Sequence, residues 1–321
     1  MKPYIFITRK LPEQVVARLT EKYEVKMWDK EDEAVPRDRL LLEAKKADAL
    51  LTMLSDSIDE ELLSVGEKLK LIANLAVGYD NINVKAAAEK GILVTNTPDV
   101  LTDTTADLTF GLLLATARRL VEAAEFVKEG KWQSWSPLLL AGHDVHHKTI
   151  GVVGMGSIGE TVAKRAKGFD MNILYHNRSR KPKAEEDLGA VYCSFEEILS
   201  QSDFIVCLTP LTNETKNLFN QESFKKMKKS AIFINASRGA VVNEKDLYEA
   251  LINGEIAAVG LDVFEKEPIS ANHPLLQLPN VVALPHIGSA SIETRTEMMH
   301  LCLENIDLVL SGKKPKTPVT H

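Results

Sequence analysis

A strand, a glycine-rich turn, a helix and a second strand follow one another at set lengths between residues 149 and 178, and few folds accept that order. An apolar run predicts a strand over 149–153, the turn reads GMGSIG, a helical pattern covers 157–167 and a further strand covers 172–175. Gly154 permits a tight turn out of the strand, Gly156 lets backbone approach a pyrophosphate, and Gly159 lets the helix lie close on the sheet. Met155, Ser157 and Ile158 complete the turn. The helix then offers unpaired N–H groups and the positive end of its dipole to the phosphates. Glycine turns arise by chance in any α/β chain, but here every flanking element has the required length. The segment is half of a dinucleotide site.

The residue that holds the adenosine ribose is expected about twenty positions past such glycines. The chain reads YHNRSRK there, with Asn177, Arg178, Ser179 and Arg180 where an acidic residue would select NADH. A carboxylate would accept hydrogen bonds from the 2′-hydroxyl and repel a 2′-phosphate, whereas donors and positive charge favour the phosphate. NADPH is therefore expected in preference to NADH, with NADH still usable. A merely solvated basic loop is the competing explanation.

At 321 residues and 45% apolar content the chain suits two α/β domains rather than one small core. Its net charge of −6 argues against a general nucleic-acid or anionic-membrane partner. Cys193, Cys207 and Cys302 form no C-x-x-C pair and no disulfide framework, which fits a reducing cytosol. MKPYIFIT lacks a signal core, and no apolar run approaches membrane-spanning length. A cytoplasmic protein with neither membrane nor nucleic-acid partner is the expectation.

Ahead of the glycine turn, strands are predicted over 4–8, 23–28, 49–52, 69–75 and 93–96, and helices over 12–22, 37–46, 59–65 and 84–90. Beyond it, strands are predicted over 203–208, 231–236, 257–263 and 281–284. Strands alternating with helices give parallel sheets covered on both faces. Between the two regions one long helix is predicted over 103–128, a candidate hinge running from lobe to lobe. GKWQSWSP follows, and its Trp132 and Trp135 lie in a loop too short to bury both, which suggests a partner surface. His143, His146 and His147 have helical spacing, but a glycine precedes them, a strand follows and no Cys or carboxylate completes a ligand set, so no metal is expected.

Two loops of the first lobe stand after strands. In NLAVGYD the backbone N–H groups of Val77 and Gly78 suit a carboxylate, and an ordinary strand-to-helix turn explains the same residues equally well. Leu54, after the strand ending at Thr52, reads first as packing.

Ligands of open parallel sheets bind beyond the carboxyl ends of the strands. Arg238 in FINASRG, Glu267 after GLDVF and His286 after VVALP all stand there. Singly, an Arg can fix a surface carboxylate, a Glu can be solvated and a His can cap a core. At successive strand ends, convergence is the better reading.

Three signatures, GVVGMGSIGETVAKRAKGFDMNILYHNR, VCLTPLTNETKNLFNQESFKKMK and KKSAIFINASRGAVVNE, with DVFEKEP and PHIGSA after them, resemble the D-isomer-specific 2-hydroxyacid dehydrogenases over nearly the whole chain. GHDVHHKTIGVVGMG and YHNRSRK look most like the glyoxylate/hydroxypyruvate reductases of bacteria, including those acting on 2-ketogluconate. The resemblance implies two Rossmann-like or flavodoxin-like parallel-sheet domains, with the dinucleotide domain (99–287) inserted into a discontinuous substrate domain (1–98 and 288–321), and a homodimer. A final helix over 289–311 would run back to the first lobe. By the same resemblance Arg238, Glu267 and His286 are the catalytic set, and Leu54, Val77, Gly78, Arg238 and Ser289 bind substrate. The cofactor would meet Thr105, the glycine turn, residues 177–180, Thr209, Pro210, Thr215, Ala236, Ser237, Arg238, Asp262, His286 and Gly288. The acidic residue of NAD-preferring members is replaced at Asn177, so cofactor identity does not carry over from the family.

Reducing a 2-oxoacid requires a cation near its carboxylate and carbonyl and an acid to protonate the carbonyl oxygen. Arg238 and His286 supply these, and Glu267 beside His286 would favour imidazolium. The expected activity is NADPH-preferring reduction of glyoxylate, hydroxypyruvate or 2-ketogluconate to D-2-hydroxyacids. The alternatives are phosphoglycerate or another D-2-hydroxyacid dehydrogenase, a reductase of carbonyls lacking a carboxylate, and a nucleotide-sensing corepressor on the same fold.

Overall fold

The computed structural model describes residues 2–320. The chain divides into two compact units, residues 1–101 with 290–321, and residues 102–289. The first unit alternates β1 (Tyr4–Ile7), α1 (Glu13–Lys22), β2 (Glu24–Met27), α2 (Arg37–Ala44), β3 (Ala49–Thr52), α3 (Glu60–Val65), β4 (Leu71–Asn74), α4 (Val84–Glu89) and β5 (Leu93–Thr95). All five strands are parallel, in the order β2-β1-β3-β4-β5. Strands β3 and β4 are buried on both faces, which is why ALLT and LIAN are near-continuous apolar runs rather than alternating ones.

The second unit contains α5 (Thr102–Ala117), α6 (Leu120–Lys128), β6 (Thr149–Val153), α7 (Ser157–Lys167), β7 (Asn172–His176), α8 (Pro182–Leu188), β8 (Val191–Tyr192), α9 (Phe195–Gln201), β9 (Phe204–Cys207), α10 (Gln221–Lys226), β10 (Ile232–Asn235), α11 (Glu244–Ile252), β11 (Ala258–Leu261) and β12 (Val281–Ala283). Its seven parallel strands run β12-β11-β10-β9-β6-β7-β8. One apolar core joins α5 and α7 to the sheet through Phe110, Leu113, Ile150, Val162, Tyr175 and Ile234, and a second packs Phe219, Phe224, Phe233 and Leu247. The last helix, α12 (Ile292–Leu310), returns to the first unit. Its start is set by Ser291, whose Oγ accepts the Thr294 N–H at 3.1 Å, so it begins three residues later than the apolar spacing suggests.

The single helix expected over 103–128 is two helices, and both belong to the second unit rather than linking the lobes. Arg119 is left-handed at φ 53, and the Ala117 carbonyl accepts the His143 N–H at 2.8 Å instead of continuing the helical ladder. Gly142 brings that returning chain in so closely that a Cβ on it would sit 2.2 Å from the Ala117 oxygen. The break follows from a contact made by residues more than twenty positions later, which helical periodicity does not register.

Candidate active site

In β10, β11 and β12 the residues Asn235, Leu261 and Ala283 lie in register, so the three strands deliver their following residues to one edge of the sheet. Asn235 is fully buried and organises the first exit: its Oδ1 accepts from the Ser237 N–H and hydroxyl at 3.1 and 2.8 Å, and its Nδ2 donates to the Arg238 carbonyl at 3.0 Å. Arg238 itself donates from Nη1 to the Ser237 carbonyl at 2.8 Å. Ala236 lies between them, directly after the strand.

The second exit carries Asp262 and Glu267. Glu267 Oε1 accepts the Phe264 N–H at 3.0 Å, folding the side chain onto its own loop, and Oε2 lies 2.7 Å from His286 Nδ1. Burial pushes the Glu267 carboxyl up. The hydrogen bond and charge of His286, the Phe264 N–H and Arg238 together outweigh burial and hold it below its ordinary value.

The third exit carries His286 in the left-handed region at φ 53, a position that few non-glycine residues take without being held. It is held by Asp262, whose two carboxylate oxygens accept the N–H groups of Ile287 and Gly288, each at 2.8 Å. Asp262 is almost completely buried, and burial raises its carboxyl against the opposing N–H bonds and the charge of His286. Gly288 packs against Thr105, with a Cβ there 3.3 Å from Thr105 Cγ2. Asp262, Thr105 and Gly288 thus form one cluster behind the histidine. Asn235 and the clamping use of Asp262 escaped sequence reasoning, because both act through backbone groups that carry no side-chain pattern.

In the glycine turn on the same sheet the three glycines differ in their surroundings. Gly154 has φ +103, and a Cβ there would lie 2.7 Å from the Thr209 nitrogen; one on Gly159 would lie 2.3 Å from the Gly154 oxygen. Gly156, the N-cap of α7, is different: a Cβ on it meets nothing within 4 Å. Two glycines are required by protein contacts and the third faces open space at a helix N-terminus, a cradle that fits a pyrophosphate. Met155 is buried beneath the turn, while Ser157 is exposed and Ile158 partly so. Across from it, Thr215 closes the loop after β9 by donating to the Pro210 carbonyl at 2.6 Å and accepting the Thr212 N–H at 2.7 Å.

At the exit of β7 the basic residues divide. Arg180 makes a forked ion pair with Glu185, its Nε 3.0 Å from Oε1, and that same oxygen accepts the Tyr175 hydroxyl at 2.6 Å. Arg178 and Ser179 are exposed, Asn177 partly so, and Arg178 acts electrostatically on Glu214 from a distance. In the first unit, the carbonyls of Val77 and Gly78 accept from Asn96 and Asn74 at 2.8 and 3.0 Å. Leu54 is half-buried in a turn after β3. Ser289 is half-buried and closes the second unit.

His146 and His147 stack edge to face with ring centres 5.1 Å apart, and among the described residues no cluster of His, Cys, Asp or Glu has the arrangement of a metal site. Among the same residues no helix is long and apolar enough to cross a membrane.

This sheet, turn and trio define an NAD(P)-dependent oxidoreductase. Residues 110–288 match the model of the D-isomer specific 2-hydroxyacid dehydrogenase NAD-binding domain, and the chain belongs to that family. It is 49% identical to a glyoxylate reductase of Korarchaeum cryptofilum, with 100% of this chain and 97% of the relative covered. A crystal structure of a Thermus thermophilus protein superposes with a TM-score of 0.93 at 43% identity, covering 99% of this chain and 100% of that one. An NADPH-dependent glyoxylate/hydroxypyruvate reductase from Sinorhizobium meliloti, solved with NADP and malonate, superposes with a TM-score of 0.86 at 33% identity, covering 100% and 97%.

Proposed function

We propose that the protein reduces small 2-oxoacids, glyoxylate and hydroxypyruvate first and 2-ketogluconate as a larger substrate, to D-2-hydroxyacids with NADPH preferred over NADH. The observation that carries the reading is the 2.7 Å contact of Glu267 with His286 Nδ1, made beside Arg238 at neighbouring strand exits. With Nδ1 engaged, Nε2 is the ring position left for proton transfer. His286 donates a proton from it to the carbonyl oxygen, and Arg238 binds the carboxylate and polarises the carbonyl. Glu267 stays ionised below its ordinary range and so remains a counter-charge for imidazolium throughout the neutral region.

NADPH, when bound, supplies the hydride. Its pyrophosphate suits the open face of Gly156 and its 2′-phosphate suits Arg178. Thr105, Thr209, Pro210, Thr215, Ala236, Ser237, Asp262 and Gly288 line the same edge of the sheet in this reading, and Leu54, Val77, Gly78 and Ser289 serve the substrate. The relatives named glyoxylate reductase and the Sinorhizobium enzyme that binds NADP support both substrate class and cofactor. Steady-state reduction of glyoxylate, hydroxypyruvate, 2-ketogluconate and pyruvate, each with NADPH and NADH, tests it. Turnover of ketones without a carboxylate as fast as of oxoacids would contradict it.

A homodimer belongs to the same reading. Helix α6 buries none of its residues in the single chain, exposing Leu120, Val121 and Val127, and Trp132, Trp135 and Leu138 after it are 58%, 79% and 82% exposed. So many exposed apolar side chains within one short stretch of chain suit a second copy of the chain. Trp135→Ala is expected to lower the sedimentation coefficient or alter oxoacid selectivity, and a variant unchanged in both would remove Trp135 from the interface.

A further inference from the structure

The loop that carries Glu267 rests on a second carboxylate–imidazole pair for which the proposed chemistry has no use. Glu244, the first residue of α11, has a side chain only 12% exposed; its Oε1 accepts the Glu265 N–H at 2.7 Å and its Oε2 lies 3.4 Å from His273 Nε2. His273 stands at the start of the 3-10 turn Pro274–Gln277, where the same loop ends. Its Nδ1 is buried without a hydrogen-bond partner among the described residues, while Nε2 on the other side of the ring faces Glu244. A buried group left unpaired in this way costs free energy.

The Phe264–Glu265 peptide is gripped from two sides. Gly239 lies against it so tightly that a Cβ there would be 1.8 Å from the Phe264 carbonyl carbon and 2.2 Å from the Glu265 nitrogen, and Glu244 takes the N–H of that peptide. On one side this peptide meets the backbone just after Arg238. On the other it leads to Glu267, whose Oε1 is fastened to the Phe264 N–H. We propose that Glu244 and His273 are positioning residues that hold Glu267 Oε2 on His286 Nδ1 by fixing the Phe264–Glu265 peptide. The proposal rests on the assignment of Glu267 and His286 given above. Arg238 at the β10 exit acts on the Glu267 carboxylate through its charge, and Asp262 at the β11 exit feels both Glu267 and His286.

The test is the pH dependence of kcat/KM for glyoxylate with NADPH in the full-length enzyme, for Glu244→Ala, Glu244→Gln, His273→Ala and, in parallel, Glu267→Gln. Glu244→Ala releases the peptide. It is expected to lower kcat roughly tenfold to a hundredfold, as displacement of a reacting group does, and to shift the alkaline fall of the profile to lower pH while leaving the KM for NADPH within about twofold. Glu244→Gln keeps an oxygen for the Glu265 N–H and is expected to restore most of the rate and the wild-type profile. A role confined to stability would lower the melting temperature without moving the profile. A folded Glu244→Ala enzyme with an unshifted profile, beside a shifted Glu267→Gln enzyme, overturns the inference and leaves the Glu267 assignment standing. If Glu267→Gln is itself unshifted, both fall. Should Glu244→Ala not fold, His273→Ala, which leaves the Glu265 hydrogen bond in place, is expected to shift the profile in the same direction by less, and no shift would overturn the inference equally.

Discussion

Two stretches of the carboxyl edge of the same seven-stranded sheet meet the proposed ligands in opposite ways. At the exits of β10, β11 and β12 each charged residue is locked by short contacts: Asn235 fixes the turn of Arg238, Asp262 clamps the two amides after His286, and Glu267 is tied to both Phe264 and His286. At the exit of β7, Arg178 projects into solvent and Arg180 is spent on Glu185. The difference separates chemistry from selection. Proton transfer and carbonyl polarisation need groups placed to within a fraction of an ångström, whereas recognition of a phosphate tolerates a mobile cation.

That contrast predicts a gradient of effects. His286→Ala should cost the most, about 10²–10⁴-fold in kcat at every pH, since it removes the only proposed proton donor. Arg238→Ala should follow at about 10²–10³-fold, expressed in binding as well as rate because the guanidinium meets both carboxylate and carbonyl. Stopped-flow and steady-state kinetics on folded protein measure both, and a fully active variant of either would break the comparison at its rigid end. At the loose end, Arg178→Ala should raise the KM for NADPH roughly tenfold and leave NADH nearly unchanged, as loss of one charge-assisted phosphate contact does. Arg180→Ala should do less, because its guanidinium is engaged by Glu185. Equal losses with both cofactors in Arg178→Ala would show that the loop does not select.

What the sequence made legible follows the same line. Strand–turn–helix order, the three glycines and the three charged strand-end residues all leave local signatures, and the parallel sheets arose where the apolar runs placed them. The features that were not legible are made by residues far apart in the chain. Helix α5 ends at Ala117 because His143 takes its carbonyl. The two-residue strand β8 is too short to show a period. Glu185, sitting in an unremarkable helix, decides which arginine is available, and Glu244 acts on Glu265 across 21 positions. Contacts of this kind are written in pairs of residues, and a single chain displays only one member at a time.

In the proposed mechanism Glu267 keeps His286 charged for proton donation. Against burial, the hydrogen bond and charge of His286 hold the Glu267 carboxyl below its ordinary value, so it is ionised from acid pH upward and offers a counter-charge to imidazolium. Glu267→Gln keeps a hydrogen-bonding group and removes the charge. The decisive measurement is kcat/KM for glyoxylate against pH in wild type and Glu267→Gln, with NADPH deuterated at the transferred position to show that hydride transfer limits the rate. The alkaline fall is expected to move to lower pH in the variant, with activity at acid pH better preserved than at alkaline pH. An identical alkaline fall in the two enzymes, under a full isotope effect, would contradict it.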